Sequence, residues 1–234
     1  MKYLFIFAHP DDETVACAAT LHALSSAGED VLVVSVTDGG GGEVSSQVKA
    51  THSEVPVGTI RTEELAQALK LLGVKNYQVL HFTDGQITNH MVWGELRGAI
   101  IEVIDSYHPD VVVTFDHSGW YFHLDHVAVS IATTLAVQQA EFPPDVFFFA
   151  HFRVNDSKWK YIYTDQLPIT HRVDATKFKQ SKYAALSAHV SQDLTGPKRQ
   201  LDSEPKHYEL YQLASASEKG KKLLKQHWLF SAQD

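Results

Sequence analysis

An imidazole and three carboxylates fall within five residues at His9-Pro10-Asp11-Asp12-Glu13, and a second cluster, His123-Leu124-Asp125-His126, repeats the three-residue spacing. Of 14 histidines, His123 and His126 are the only two within four positions of each other. Imidazole nitrogen and carboxylate oxygen are zinc donors, and a catalytic zinc site uses three protein ligands and keeps a fourth position for water. Where a strand turns into a helix, His9 and Asp12 can face one point while Asp11 faces another. The plain alternatives are that Asp11 or Asp12 caps a helix and that the two histidines are polar residues at a helix start. The metal reading requires elements that bring both clusters together.

Four runs, Tyr3–Ala8, Val31–Val36, Tyr77–Phe82 and Val111–Phe115, read as buried strands, apolar nearly throughout as in the middle of a parallel sheet. Helical patterns separate them. Glu13 to about Ala27 is Ala-rich and closed by Gly28, and Leu65, Leu69 and Leu72 mark a second helix with Gly73 just past its end. Val92, Leu96, Ile100, Val103 and Tyr107 give a third stripe, and Leu124, Val127, Ile131 and Leu135 a fourth. This alternation predicts an α/β three-layer sandwich on a mostly parallel, Rossmann-like sheet, forming a single domain over residues 1–234. Further along, Val146–Ala150, Trp159–Tyr163 and His207–Leu213 read as strands, Lys177–Ala188 as a helix and Gln192–Pro205 as a polar loop. Thr37 to Gly58, with Gly39–Gly42 in succession, lacks periodicity and reads as a long functional loop.

Ligands of open α/β sheets bind beyond the carboxyl ends of the strands. The first strand is followed by His9 to Glu13, the second by Thr37-Asp38-Gly39, the third by Thr83-Asp84-Gly85 and the fourth, across a short loop, by Trp120 to His126. Imidazoles and carboxylates therefore gather along one edge of the sheet. The turn after the first strand lacks the glycine fingerprint of a dinucleotide site, and no Gly-x-Ser-x-Gly elbow exists for a serine hydrolase.

With 44% hydrophobic and 21% charged residues the composition is ordinary for a globular chain. Twenty basic against 28 acidic residues give a formal net charge of −8, which argues against a nucleic-acid-binding surface. Lys219, Lys221, Lys222 and Lys225 read as a solvated face. The short apolar run at the N-terminus meets acidic residues where a signal peptide should not, and no stretch approaches the ~20 apolar residues of a membrane span. The expectation is a cytoplasmic protein without a membrane partner. Cys17 is the only cysteine, leaves no internal disulfide, and reads as buried filler.

Ala8-His9-Pro10-Asp11-Asp12-Glu13 paired with His123-Leu124-Asp125-His126 resembles the LmbE/PIG-L family of zinc-dependent N-acetylglucosaminyl deacetylases. Thr37-Asp38-Gly39, Arg61-Thr62-Glu63-Glu64-Leu65, His108-Pro109-Asp110-Val111-Val112, Lys182 through Ala184 and His189-Val190-Ser191-Gln192 extend the likeness over about residues 3–192. The chain departs from the family at Leu124, often Pro there, in the length of its Gly-rich loop and in the aromatic run Trp120-Tyr121-Phe122.

The resemblance implies His9, Asp12 and His126 as zinc ligands and Asp11 as general base. It implies His123, oriented by Asp125, as the group that stabilises the oxyanion or protonates the leaving amine. Zinc lowers the pKa of bound water toward ~7, a carboxylate beside it can take the proton, and a histidine held by a carboxylate stays protonated more readily. Arg61 resembles the family arginine that reaches into the site, the alternative being a surface salt bridge to Glu64. Asp84 is placed to accept sugar hydroxyls or to serve as a turn residue before Gly85. Tyr121 is placed to hydrogen-bond the oxyanion, while Trp120 and Phe122 read as packing.

The expected activity is removal of an acetyl group from an N-acetylglucosamine-type sugar or glycoside. The ion is Zn2+, with another divalent transition metal in the cell compatible, and the partner is the small-molecule N-acetylated sugar. A homo-oligomer is compatible with the sequence. The alternatives are a zinc amidase on another amide, such as a thiol-sugar conjugate, or a non-catalytic metal- or sugar-binding protein on the same fold.

Overall fold

The computed structural model describes residues 1–152 and 168–232. In chain order the elements are β1 (Lys2–Phe7), α1 (Asp12–Ser26), β2 (Asp30–Thr37), α2 (Ser46–Thr51), α3 (Val57–Leu72), β3 (Asn76–Phe82), α4 (Trp93–Tyr107), β4 (Val111–Phe115) and the short turn α5 (Gly119–Phe122). There follow α6 (Leu124–Gln139), β5 (Val146–His151), β6 (His171–Asp174), α7 (Lys179–Ala188), α8 (Thr195–Ser203), β7 (Tyr208–Ala216), α9 (Glu218–Lys225) and β8 (Ser231–Ala232). Among the described residues the strands form one eight-stranded sheet in the order β3-β2-β1-β4-β5-β7-β6-β8. β3 through β5 are parallel, whereas β7, β6 and β8 join antiparallel.

The expected mixed α/β fold with a mostly parallel sheet is the one observed. β4, and β1 and β2 past their first residue, are buried throughout, so helices cover both faces. One helical group is α1, α3 and α7, which pack on one another; α4 packs on α6 as a second. The chain runs outward from β1 to β2 and β3, then returns to place β4 on the other side of β1. That reversal is the topological switch point where open α/β sheets hold their ligands, and both histidine clusters leave the sheet there.

Several local expectations change. β3 is the edge strand and half exposed rather than buried, because nothing pairs with its outer side among the described residues. The Leu124–Ile131 stripe of α6 points outward, with Leu124 67% and Ile131 38% exposed. The buried face is instead Ala128, Val129, Ala132, Thr133 and Ala136, small side chains that bring the helix close to the sheet and carry Asp125 and His126 inward. The Thr37–Gly58 loop contains α2 and the first turn of α3. Gln192–Pro205 contains α8, anchored by buried Leu201 and with Pro197 in its first turn, where a missing N–H costs nothing. β6 and β8 are too short to carry a periodic signal. The expected strand at Trp159–Tyr163 lies outside the described residues. Cys17 is fully buried, and burial pushes its thiol pKa up. No helix among the described residues is long and apolar enough to cross a membrane.

Candidate metal centre and active site

β1 and β4 are adjacent and parallel, with Tyr3 beside Val111 and Phe5 beside Val113. The chain ends that leave them therefore emerge side by side. His9 and Asp12 come from the first, His123, Asp125 and His126 from the second. Nδ1 of His9 lies 3.3 Å from Nε2 of His126 and 3.5 Å from Oδ2 of Asp12, and Oδ1 of Asp12 lies 3.3 Å from the same His126 nitrogen. The His9 and His126 nitrogens thus lie 3.3 Å apart, each within 3.5 Å of a different oxygen of the Asp12 carboxylate. A tetrahedral zinc with bonds of about 2.0–2.1 Å has ligand–ligand edges of about 3.3–3.4 Å, and the two nitrogens and the Asp12 carboxylate stand at about that spacing. His9 and His126 are both buried, and so is Asp12. Burial alone would raise the Asp12 pKa, but His126 and His9 hold the carboxyl far below the usual carboxylate range.

The other nitrogen of His9 faces away from the triangle. Its Nε2 lies 3.0 Å from Asp84 Oδ1 and 3.3 Å from Asp125 Oδ2. Burial opposes protonation of His9, but its bonds to Asp12, Asp125 and Asp84 leave its pKa well above the ordinary value. This is the outer carboxylate arrangement that fixes the tautomer and orientation of metal-binding imidazoles. Asp84 also accepts the Gly41 N–H at 3.0 Å, and Asp125 accepts the Gly85 N–H at 2.8 Å. The His9 contact opposes the effect of burial and holds Asp84 at about 2.

These contacts revise two expectations. Asp125 grips His9 and Gly85 rather than orienting His123, because the first turn of α6 directs residues 125 and 126 under the sheet edge while residue 123 stays at the rim. His123 packs its ring on His126 at 4.5 Å and edge-on to His9 at 4.9 Å, and its Nδ1 makes no hydrogen bond among the described residues. Burial, with His126 and His9 nearby, pushes its pKa down rather than up. Asp84 supports His9, so it is more than a turn residue, and its carboxylate is already engaged.

Asp11 sits on the cavity side of Asp12 with a backbone φ of 129°. Its side chain caps nothing, which removes the helix-cap alternative for that residue. Burial raises its pKa to about 6, with Asp12 and Glu13 adding to the rise and Arg61 and His189 opposing it. Arg61 is buried on α3 and donates to Gly39 O at 3.0 Å and Pro10 O at 2.8 Å, with Asp11 Oδ2 at 3.3 Å. It is not the surface partner of Glu64, which instead accepts both the N–H and the hydroxyl of Ser191 at 2.7 and 2.6 Å. The successive glycines are explained by the same guanidinium: a Cβ on Gly39 or Gly42 would come within 2.6 Å of it.

All of this surrounds one cavity of about 370 Å3, lined by His9, Asp11, Asp12, Arg61, Asp84, Tyr121, His123 and His126. Every residue singled out by the sequence lines it except Asp125, which stands behind His9. Tyr121 sits at the mouth, 38% exposed, its ring 5.5 Å from that of His126. Gly41, Gly42, Gly85 and Gln192 also line the space. Gln192 had no assigned role in the sequence; its neighbour Ser191 packing on Glu64 is a long-range contact that no local pattern reports.

Fold and site together define an α/β protein with a cluster of histidines and carboxylates at the switch point of its sheet, in which His9, His123 and His126, or His9, Asp84 and Asp125, lie close enough together to hold a metal ion. The chain belongs to the PIG-L family: residues 4–137 match the family model described as GlcNAc-PI de-N-acetylase. It is 30% identical over 236 residues to a 1D-myo-inositol 2-acetamido-2-deoxy-alpha-D-glucopyranoside deacetylase of Mycobacterium sp. (strain JLS), covering 85% of this chain and 76% of the relative. Among solved structures, the N,N'-diacetylchitobiose deacetylase from Pyrococcus horikoshii superposes with a TM-score of 0.69 at 22% identity, covering 91% of this chain and 83% of that one. A 4-carboxy-2-hydroxymuconate hydratase from Pseudomonas putida KT2440 superposes with a TM-score of 0.71 at 16% identity, covering 93% and 98%. The same fold thus carries more than one reaction, so the activity has to be argued from the site.

Proposed function

We propose that this protein is a metal-dependent hydrolase that removes the acetyl group from an N-acetylglucosamine-type sugar, with His9, Asp12 and His126 holding one Zn2+. The observation that carries the reading is the close approach, at 3.3–3.5 Å, of the His9 and His126 nitrogens to each other and to the Asp12 carboxylate, with an ionisable Asp11 beside them. The deacetylase relatives named above supply the substrate class. When bound, the cation supplies a Lewis acid that polarises the amide carbonyl and makes water a competent nucleophile near neutral pH.

The remaining chemistry belongs to the chain. Asp11, ionised above about pH 6, takes a proton from the attacking water as the new C–O bond forms at the acetyl carbon. His123 enters neutral and donates an N–H toward the carbonyl oxygen as charge grows there. Tyr121 lies on the same side of the cavity and offers a second donor. As the C–N bond breaks, the proton held on Asp11 passes to the departing amine, releasing acetate and the free amino sugar. Asp84 and Asp125 keep the His9 ring fixed, and Arg61 holds Asp11 while one side of its guanidinium faces the cavity.

The test is release of acetate and primary amine in equal amounts from a panel of N-acetylglucosamine derivatives. Chelator-sensitive release that Asp11→Asn abolishes supports the reading. A metal-loaded protein that releases neither product from any member of the panel overturns the substrate class.

A further inference from the structure

Asp11, Asp12 and Glu13 are three successive acids drawn into one buried corner, and each faces a different basic side chain. Asp11 faces Arg61 at 3.3 Å, Asp12 faces His126 at 3.3 Å, and Glu13 faces His189 at 3.6 Å. The first two pairs belong to the site described above. Glu13 and His189 point away from the cavity, both 1% exposed, and the proposed reaction does not touch them.

Glu13 reaches back along the chain. Its Oε2 accepts the backbone N–H of Asp11 at 3.1 Å, while Oε1 accepts the Thr14 hydroxyl at 2.6 Å. His189 closes the arrangement from the end of α7, its Nε2 lying 3.3 Å from the same hydroxyl. Its Nδ1 is buried and makes no hydrogen bond among the described residues. Asp11 needs such restraint, because a φ of 129° is a conformation that residues other than glycine rarely adopt. Such strain persists only where the surroundings over-determine it. The carbonyl side of Asp11 is held by the N–H groups of Thr14 and Val15 at 3.0 and 2.9 Å, and the preceding carbonyl, of Pro10, by Arg61 at 2.8 Å. Its N–H is held by Glu13. Without that bond the peptide before Asp11 is free to turn, and the carboxylate turns with it.

We infer that Glu13 and His189 are a pair of positioning residues that hold the strained Asp11 backbone so that its carboxylate addresses the metal centre. The inference rests on the reading of Asp11 as the base. It also gives a role to the last residue of His9-Pro10-Asp11-Asp12-Glu13, which does not line the cavity. A Gln at this place keeps an oxygen able to accept the Asp11 N–H, whereas an Ala does not.

The experiment compares Glu13→Ala, Glu13→Gln and His189→Leu in the full chain loaded with zinc, with Asp11→Asn as reference. Turnover, zinc content and hydrogen exchange of the Asp11 amide are measured. Glu13→Ala is expected to keep one zinc per chain and its KM, to lose about 100-fold in kcat, as small misplacements of catalytic groups do, and to exchange the Asp11 amide faster. Glu13→Gln is expected to recover to within about 10-fold of the parent, and His189→Leu to lose about 10-fold, both with zinc retained. Parent-like kcat and exchange in Glu13→Ala overturn the inference. So does joint loss of zinc and folded protein in all three variants, the mark of a purely structural role. If Asp11→Asn keeps parent turnover, the base assignment fails instead. The exchange rate then still decides whether Glu13 holds the backbone.

Discussion

Asp84 Oδ1 lies 3.0 Å from Nε2 of His9, the ring nitrogen opposite the one that faces Asp12 and His126. A loop after β3 thereby fixes a side chain that leaves β1, and in the proposed site Asp84 supports the ligand His9 from outside. Replacing Asp84 by Ala is expected to weaken zinc binding about 10- to 100-fold, read by competition with a chromophoric chelator. Asp125→Ala should act in the same direction. Unchanged affinity in both would mean that His9 needs no outer support.

Asp11→Asn should retain zinc, lose turnover by at least about 100-fold, and make the metal-free protein more stable at neutral pH. The Asp11 pKa is raised from 3.8 to about 6 by burial, so its ionised form is disfavoured in the folded chain by an amount on the order of 3 kcal/mol. Asn carries no charge and tolerates positive φ better than most residues. Thermal melts of the two metal-free proteins check this; a lower midpoint for Asp11→Asn contradicts it.

The same shift sets a pH dependence. For an acid whose folded pKa lies above its unfolded one, the stabilising contribution is fully present below about 3.8 and is lost as pH rises through about 6. Catalysis runs the other way, since the base works only when ionised. The acid limb of kcat should therefore fall at or below pH 6, a bound cation drawing it lower, while Asp11→Asn shows residual turnover without that limb. An acid limb that persists unchanged in the variant assigns the titration elsewhere.

Gly42→Ala places a Cβ 2.6 Å from Arg61 Nη1, and Gly39→Ala adds the cost of a positive φ. Arg61 is held by three oxygens and cannot simply swing aside. Both variants should raise KM or lower kcat, with Gly39→Ala also destabilising the fold by about 1–3 kcal/mol. Wild-type kinetics in both would detach Arg61 from the site.

The α6 surface gives a test of packing alone. Ile131→Lys should change stability by less than about 0.5 kcal/mol, whereas Ala132→Leu should cost about 1–3 kcal/mol by overpacking against the sheet. Chemical denaturation distinguishes the two faces.

Much of the site was legible because it is local. His9 with Asp12 and His123 with His126 are short-range patterns, and the alternation of strands and helices is enough to bring both to one edge of the sheet. What escaped depends on packing across the chain. Nearness in sequence pairs Asp125 with His123, but the turn into α6 carries it to His9. The largest apolar residues of α6 form an outward stripe, whereas close approach to the sheet selects Ala128, Ala132 and Ala136. β3 has an interior composition and an edge position, a difference set by strand order. Gln192 reaches the cavity, and His189 reaches Glu13 behind it, through the end of α7, which no spacing relates to the first strand.

The most direct test of the metal centre is a zinc titration of metal-free protein with an N-acetylglucosamine derivative as substrate, recording amine release at each addition. The account predicts activity that rises linearly and stops at one equivalent of zinc per chain, with His126→Ala silent throughout. Full activity in the metal-free protein, or an equal titration curve for His126→Ala, would contradict it.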